Sequence, residues 1–374
     1  MKSSERILVV DDEPAMLRTV ERVLAAQYGV STARTEADAL AALGAAPHDL
    51  AIVDLRMPDH DGFDVAAALR HVAPDLDVIF MTGVVHELDQ QLVRSLREKA
   101  FYFIQKPFER EVLLALVNRC LELRRLETEN RAYVAQLEGQ LAEARAFQQS
   151  MLPPRRARLG VLELAAHYAP SEHVSGDLFD YVRGADGGAS VLIADVSGHG
   201  VSAAMLTGVV KAAFHDVHEE GDGALAVVAR IASGLRPFDE ARFVTAFCAV
   251  IDARRQRLVY VNAGHPAPLL LDASGARGEL SLTGAMISPA FPDMTWEERS
   301  VPFGPGCRLL AYTDGITEAR GDEGAFGVAR LRAVVDATGA RGALLLDVVV
   351  GAVTRFCGGR PADDDRTLLT VCWP

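Results

Sequence analysis

The chain has 374 residues, 49% of them hydrophobic and 24% charged, which suits two or three folded domains and excludes a disordered polypeptide. A formal net charge of −13 argues against nucleic acid or an anionic membrane as a partner, and no apolar run is long enough to span a bilayer. Five scattered cysteines (Cys120, Cys248, Cys307, Cys357, Cys372) lack metal-ligand spacing, so neither zinc nor a disulfide framework is expected, and a reducing, cytoplasmic setting is. The opening Met1-Lys2-Ser3-Ser4-Glu5-Arg6 runs directly into an apolar stretch, and no signal peptide is expected.

Ile7-Leu8-Val9-Val10 ends in Asp11-Asp12, and Leu50-Ala51-Ile52-Val53 ends in Asp54. Both read as buried parallel strands with acids at their carboxyl ends, where open α/β sheets place their sites. Residues 77–82 and 101–104 add two candidate strands, the second followed at once by Gln105-Lys106-Pro107. Helical patterns fall at 14–27, 36–45, 62–72 and 87–98, so the first 122 residues predict a doubly wound parallel sheet.

From Glu109 to about residue 152 the pattern is helical without a proline. Leu116, Leu123, Asn130, Leu137 and Ala144 recur every seven residues, and Leu113, Cys120, Glu127, Val134 and Leu141 form an offset series. This predicts a two-stranded parallel coiled coil, with Asn130 setting register, and hence a homodimer. The alternative is one long helix packed on its own domain. Paired prolines, Pro153-Pro154, end the helix.

Residues 153–374 carry candidate strands at 161–168, 178–182, 189–195, 243–251, 257–262, 267–271, 307–312 and 367–373. Helical blocks fall at 199–216, 222–235, 328–336 and 340–356, which together predict two sheets packed face to face under helices. The focus is Ile193-Ala194-Asp195-Val196-Ser197-Gly198-His199-Gly200, an apolar run ending in a carboxylate and a small-residue turn. Ser175-Gly176-Asp177, Tyr312-Thr313-Asp314-Gly315 and Ala362-Asp363-Asp364-Asp365 can converge on it. Gathered carboxylates repel unless cations neutralise them, and oxygen-only donor sets suit Mg²⁺ or Mn²⁺, so the residues themselves point to a two-metal hydrolase.

The ordered set Asp11-Asp12, Asp54 in Asp54-Leu55-Arg56-Met57-Pro58, Thr82 and Lys106-Pro107 resembles the receiver domains of two-component response regulators over about the first 120 residues. The resemblance implies a five-stranded parallel, flavodoxin-like sheet and a sensor histidine kinase as partner. It also implies Asp54 as phosphoacceptor, Mg²⁺ held by Asp11, Asp12 and Asp54, and Thr82, Lys106 and Phe103 as switch residues. Lys106 is one of only four lysines, which makes surface filler a poor explanation of it. Phe103 alone reads equally well as a core residue.

A second resemblance covers essentially all of 145–374. It is carried by Gln148 to Pro153, Val174-Ser175-Gly176-Asp177-Leu178-Phe179-Asp180, Asp195 to Gly200, Asn262-Ala263-Gly264-His265-Pro266, Thr313 to Glu318 and Asp364-Asp365-Arg366-Thr367. These look like the metal-dependent serine/threonine phosphatases of the PPM family, in its SpoIIE- and RsbU-like bacterial branch. This second resemblance implies an α-β-β-α sandwich of two antiparallel sheets. It would hold two Mn²⁺ or Mg²⁺ ions through Asp177, Asp195, Asp314, Asp364 and the Val196 carbonyl, and act on a phosphorylated anti-anti-sigma (STAS-type) protein. Ser175 stands where the family usually has glycine, and Leu178-Phe179 where it has two aromatics. His199 and His265 sit in turns and are left out of the catalytic set; Asp180, Asp365 and Glu318 are either supporting or surface acids, and Asp363 is read as solvated.

The chain therefore divides into a receiver at 1–122, a helical connector at 109–152 and a phosphatase domain at 153–374, with Asp54 phosphorylation controlling hydrolysis. The competing reading is a phosphatase-like scaffold that sequesters a partner without turning it over. A DNA-binding output is disfavoured by the acidic charge.

Overall fold

The computed structural model describes residues 4–58, 60–83, 102–184, 187–220, 223–272, 274 and 277–374. The chain falls into two compact units, Met1–Gln136 and Leu137–Pro374, and the boundary lies inside the connector. The helix expected at 87–98 lies outside the described residues. No helix among the described residues is long and apolar enough to cross a membrane.

In the first unit the strands are β1 (Arg6–Val10), β2 (Gly29–Ala33), β3 (Leu50–Asp54), β4 (Asp77–Thr82) and β5 (Tyr102–Gln105). They form a parallel sheet of order β2-β1-β3-β4-β5. Ile7 to Val10 and Leu50 to Val53 are fully buried because both sheet faces are covered. Helix α1 (Pro14–Leu24) and the start of the long helix α4 (Arg110–Met151) pack on one face, and α2 (Glu36–Ala45) and α3 (Gly62–Val72) on the other. Thr35 caps α2 by accepting from Asp38 N–H, and Asp61 caps α3 by accepting from Phe63 N–H. Strand β2 is an addition to the sequence reading: GVSTA is a short, half-exposed edge strand with little alternation to read.

Gly62 starts α3 against the end of β3, and a Cβ there would overlap the Asp54 carbonyl. Gly62→Ala is therefore expected to push α3 off the strand carrying Asp54 and cost the first unit about 2 kcal/mol. A lowered urea midpoint would register it.

Leu113 and Cys120, placed on the coiled-coil seam by their spacing, are buried in the core of this unit with Val117 and Leu121. The first part of that seam is thus the face that α4 turns to the sheet, a correction to the sequence reading. Residues 125–140 are exposed, Val134 and Leu137 at 45% and 40%.

The second unit is a sandwich. One sheet has the order β8-β9-β10-β11-β14, made of Asp177–Arg183, Ala189–Val196, Val244–Asp252, Arg257–Ala263 and Arg299–Pro302. The other has the order β13-β12-β15-β16-β7-β6: Arg277–Glu279, Leu269–Leu271, Arg308–Tyr312, Arg366–Cys372, Leu162–Ala169 and Arg156–Leu159. All pairings within both sheets are antiparallel. Phe179, Ile193, Phe247, Leu309 and Val371 fill the space between the sheets, each contributing roughly 1.5–3 kcal/mol by burial.

Helices α5 (Val201–Glu220) and α6 (Ala224–Leu235) cover the outer face of the first sheet. After the single-turn α7 (Asp314–Thr317), α8 (Gly327–Ala337) and α9 (Gly342–Cys357) cover the other. The expected α-β-β-α layering is present. The short strands β6, β13 and β14 are additions to the sequence reading.

Candidate functional site

At the carboxyl edge of the parallel sheet, Asp11, Asp12 and Asp54 bring one oxygen each within 4.8 Å of one another, a spacing that could hold a divalent cation. Lys106 Nζ lies 2.7 Å from Asp11 Oδ2 and 2.9 Å from Asp54 Oδ1. Burial raises the Asp54 pKa, and Lys106 only partly offsets it. Burial opposes the Lys106 charge too, but hydrogen bonds to Asp11 and Asp54 outweigh it and lift its pKa. Lys106 N–H donates to the Thr82 carbonyl at 2.7 Å, fixing these two residues side by side. Phe103 is half-buried, its ring 5.6 Å from that of Phe80, its register partner.

In the sandwich, Asp177 begins β8 and Asp195 nearly ends β9, and the antiparallel register sets them directly opposite each other. Period-two alternation gives both the face of Phe179 and Ile193, between the sheets. Thr313 Oγ1 donates to Asp177 Oδ2 at 2.8 Å and accepts from Thr367 N–H at 3.0 Å, tying the ends of β15 and β16 to Asp177. Burial, then the charge of Asp195, raises the Asp177 pKa well above the usual carboxylate range. Burial, then Asp314, Asp364 and Asp365, pushes Asp195 up to about 7. Burial also raises Asp314 and Asp364.

These acids are arranged more openly than the receiver trio. Among the described residues, Asp177, Asp195, Asp314 and Asp364 do not bring three oxygens within 4.8 Å of one another. Their mutual destabilisation nevertheless fits a centre that cations complete. A Cβ added on Gly176 would come within 2.6 Å of the Val196 carbonyl oxygen, so this close approach of the two backbones requires glycine. Gly315 acts similarly, since a Cβ there would overlap the Asp365 carbonyl and crowd Asp364.

Residues 185–374 match the family model of Stage II sporulation protein E (SpoIIE), and residues 7–118 match the response regulator receiver domain. The chain belongs to the SpoIIE family. It carries a receiver domain ahead of a SpoIIE/PP2C phosphatase domain. Protein IcfG of Synechocystis sp. is 28% identical over 261 residues, 62% of this chain and 41% of that protein. Phosphoserine phosphatase RsbP of Bacillus subtilis is 33% identical over 162 residues, 42% of this chain and 40% of that protein. The chain spans about two fifths of the length of these relatives. The SiaA-PP2C domain of Pseudomonas aeruginosa shares the fold, with a TM-score of 0.59 at 24% identity over 65% of this chain and 99% of that domain.

Several residues of the second unit take positions that the motifs alone do not reveal. Asp365 accepts from Ser171 N–H (2.7 Å), Ser171 Oγ (3.0 Å), Ser175 Oγ (2.6 Å) and Gly176 N–H (2.9 Å), locking the turn that presents Asp177. Gln148, buried in the last turns of α4, grips the same turn: its Nε2 donates to the Ser175 carbonyl at 2.6 Å and its Oε1 accepts from Ser175 N–H at 3.0 Å. Asp180 is buried and paired with Lys211 and His215 on the α5 side of β8, facing away from Asp177.

His265 is buried, with Nδ1 2.9 Å from Thr245 Oγ1, and Thr245 is the register partner of Asp195. Burial lowers its pKa to about 3, so it is a neutral strut at neutral pH. His199 and Glu318 are exposed, as is Asp363.

Proposed function

We propose that this chain is a metal-dependent protein serine/threonine phosphatase whose activity is set by phosphorylation of Asp54. The observation that carries the reading is the cross-strand pair Asp177 and Asp195, where burial and then the charges of Asp314, Asp364 and Asp365 push the Asp195 pKa up to about 7. Asp177, Asp195, Asp314, Asp364 and the Val196 carbonyl would hold two Mn²⁺ or Mg²⁺ ions. When bound, such a pair would lower the pKa of a water and offset the charge of the phosphoryl oxygens. The protein's part is positional: Thr313 bonds Asp177, Asp365 and Gln148 hold the Ser175-Gly176 turn before it, and Gly176 lets that turn lie close against the Val196 carbonyl.

In the receiver, Asp11, Asp12 and Asp54 would hold Mg²⁺, Asp54 would accept a phosphoryl group from a sensor histidine kinase, and Lys106 and Thr82 would bind it, with Phe103 reporting the change. Gln148 supports a route of control, because it belongs to α4 and touches the turn before Asp177. Any rotation or unwinding of that helix end changes the hold on a metal ligand. The exposed apolar positions Val134 and Leu137 support a coiled-coil homodimer along α4. A phosphoserine substrate is supported by the likeness to RsbP, a phosphoserine phosphatase by name, and we assign a cytoplasmic STAS-type phosphoprotein as the substrate class.

The test is hydrolysis of a phosphoserine STAS protein with Mn²⁺, with and without beryllofluoride, in wild type and Asp54→Ala. Turnover is expected to require metal and to change severalfold with beryllofluoride in wild type only. Metal-independent background in every sample would refute the enzyme, and identical rates in all metal-containing samples would refute receiver control.

A further inference from the structure

We infer that Arg242 is a phosphoryl-binding residue at the rim of the phosphatase centre, a proposal that rests on the phosphatase reading. Arg242 closes a turn, its N–H donating to the Asp239 carbonyl, directly before β10. Its neighbour Phe243 is stitched to Ser197 twice, through Phe243 N–H to Ser197 Oγ at 2.8 Å and Ser197 N–H to the Phe243 carbonyl at 2.9 Å. Ser197 is two residues beyond Asp195. The backbone that carries Arg242 is therefore fixed to the strand end that carries the central carboxylate.

The side chain crosses that strand end. Its Nη1 donates to the Ser197 carbonyl and its Nη2 to Ser202 Oγ, each at 3.1 Å. Nη1 also lies 2.7 Å from where a Cβ on Gly198 would stand, so only glycine lets the guanidinium rest on this loop. Both acceptors are neutral. Arg124, Arg230, Arg255, Arg330 and Arg360 each meet a carboxylate, whereas among the described residues Arg242 is in no ion pair.

A guanidinium has five N–H donors, and these two contacts leave others for a further acceptor. A half-buried, half-satisfied fork resting on the loop that follows Asp195 is matched to a phosphate dianion, which the acids alone would repel. Arg242 would supply the fixed positive charge that draws the phosphoryl oxygens in and orients them.

The experiment compares the full chain with R242Q and R242K, loaded with Mg²⁺, by calorimetric titration with inorganic phosphate and by steady-state hydrolysis of p-nitrophenyl phosphate. Mn²⁺ affinity is measured separately by electron paramagnetic resonance. R242Q is expected to weaken phosphate binding about tenfold and to raise KM more than it lowers kcat, with Mn²⁺ affinity unchanged; R242K recovers part of the loss because it keeps the charge without the fork. Unaltered phosphate binding in R242Q overturns the proposal. So does a loss that tracks weakened Mn²⁺ affinity, which would make Arg242 a brace for the loop. A wild-type chain without turnover would sink the phosphatase reading, yet the phosphate titration would still decide Arg242.

Discussion

If the proposed metal centre holds, Asp195→Asn is expected to lower kcat/KM by at least about a thousandfold while the fold survives, because the change keeps the shape and removes the charge that the two cations would share. Asp195 stands opposite Asp177 in register, and after burial the charges of Asp314, Asp364 and Asp365 act on it. The same substitution should stabilise the metal-free protein. A carboxyl whose folded pKa is raised from 3.8 to about 7 holds extra protons in the native state. Its contribution is fully present below 3.8 and is lost as pH rises through about 7. Metal-free wild type should therefore lose stability across that window relative to Asp195→Asn, and added Mn²⁺ should restore wild type but not the variant. Melting curves at several pH values, with and without metal, measure this; a variant no more stable than wild type at neutral pH without metal would show that the site is not strained.

The second large effect is expected at Asp365. Replacing it with alanine leaves four donors from Ser171, Ser175 and Gly176 without their common acceptor. Loss of a multiply bonded, half-buried carboxylate of this kind costs about 3 kcal/mol, roughly 6–12 °C in melting temperature for a unit of this size. Activity should fall further than stability, since the freed turn carries Asp177. Asp363→Ala, two residues away and exposed, serves as the control and should leave both unchanged.

These two neighbours show where sequence reading succeeds and where it stops. Asp11, Asp54 and Asp195 could be placed because each terminates a buried apolar run, and the end of a strand is a definite position in space. Asp363, Asp364 and Asp365 stand in one irregular stretch, where nothing in the local pattern says which carboxylate turns inward. Asp180 was similarly opaque, since its partners Lys211 and His215 come from a helix far along the chain. The seven-residue spacing of Leu113 and Cys120 was real but identifies only a face, and the parallel sheet claimed it before any second helix could. Strands such as Gly29–Ala33 and Arg299–Pro302 lie at sheet edges, where half-solvated residues erase the alternation that marks a strand.

The pairing of Asp177 with Asp195 also limits how this protein can vary over time. A single residue gained or lost within Asp177–Arg183 or Ala189–Val196 would swing one acid onto the outer, helix-covered face while its counterpart stayed put. Length changes should thus be tolerated in the hairpin turn joining these strands and purged from the strands themselves. Relatives that keep hydrolysis should show hairpin turns of differing size between two strands of constant count.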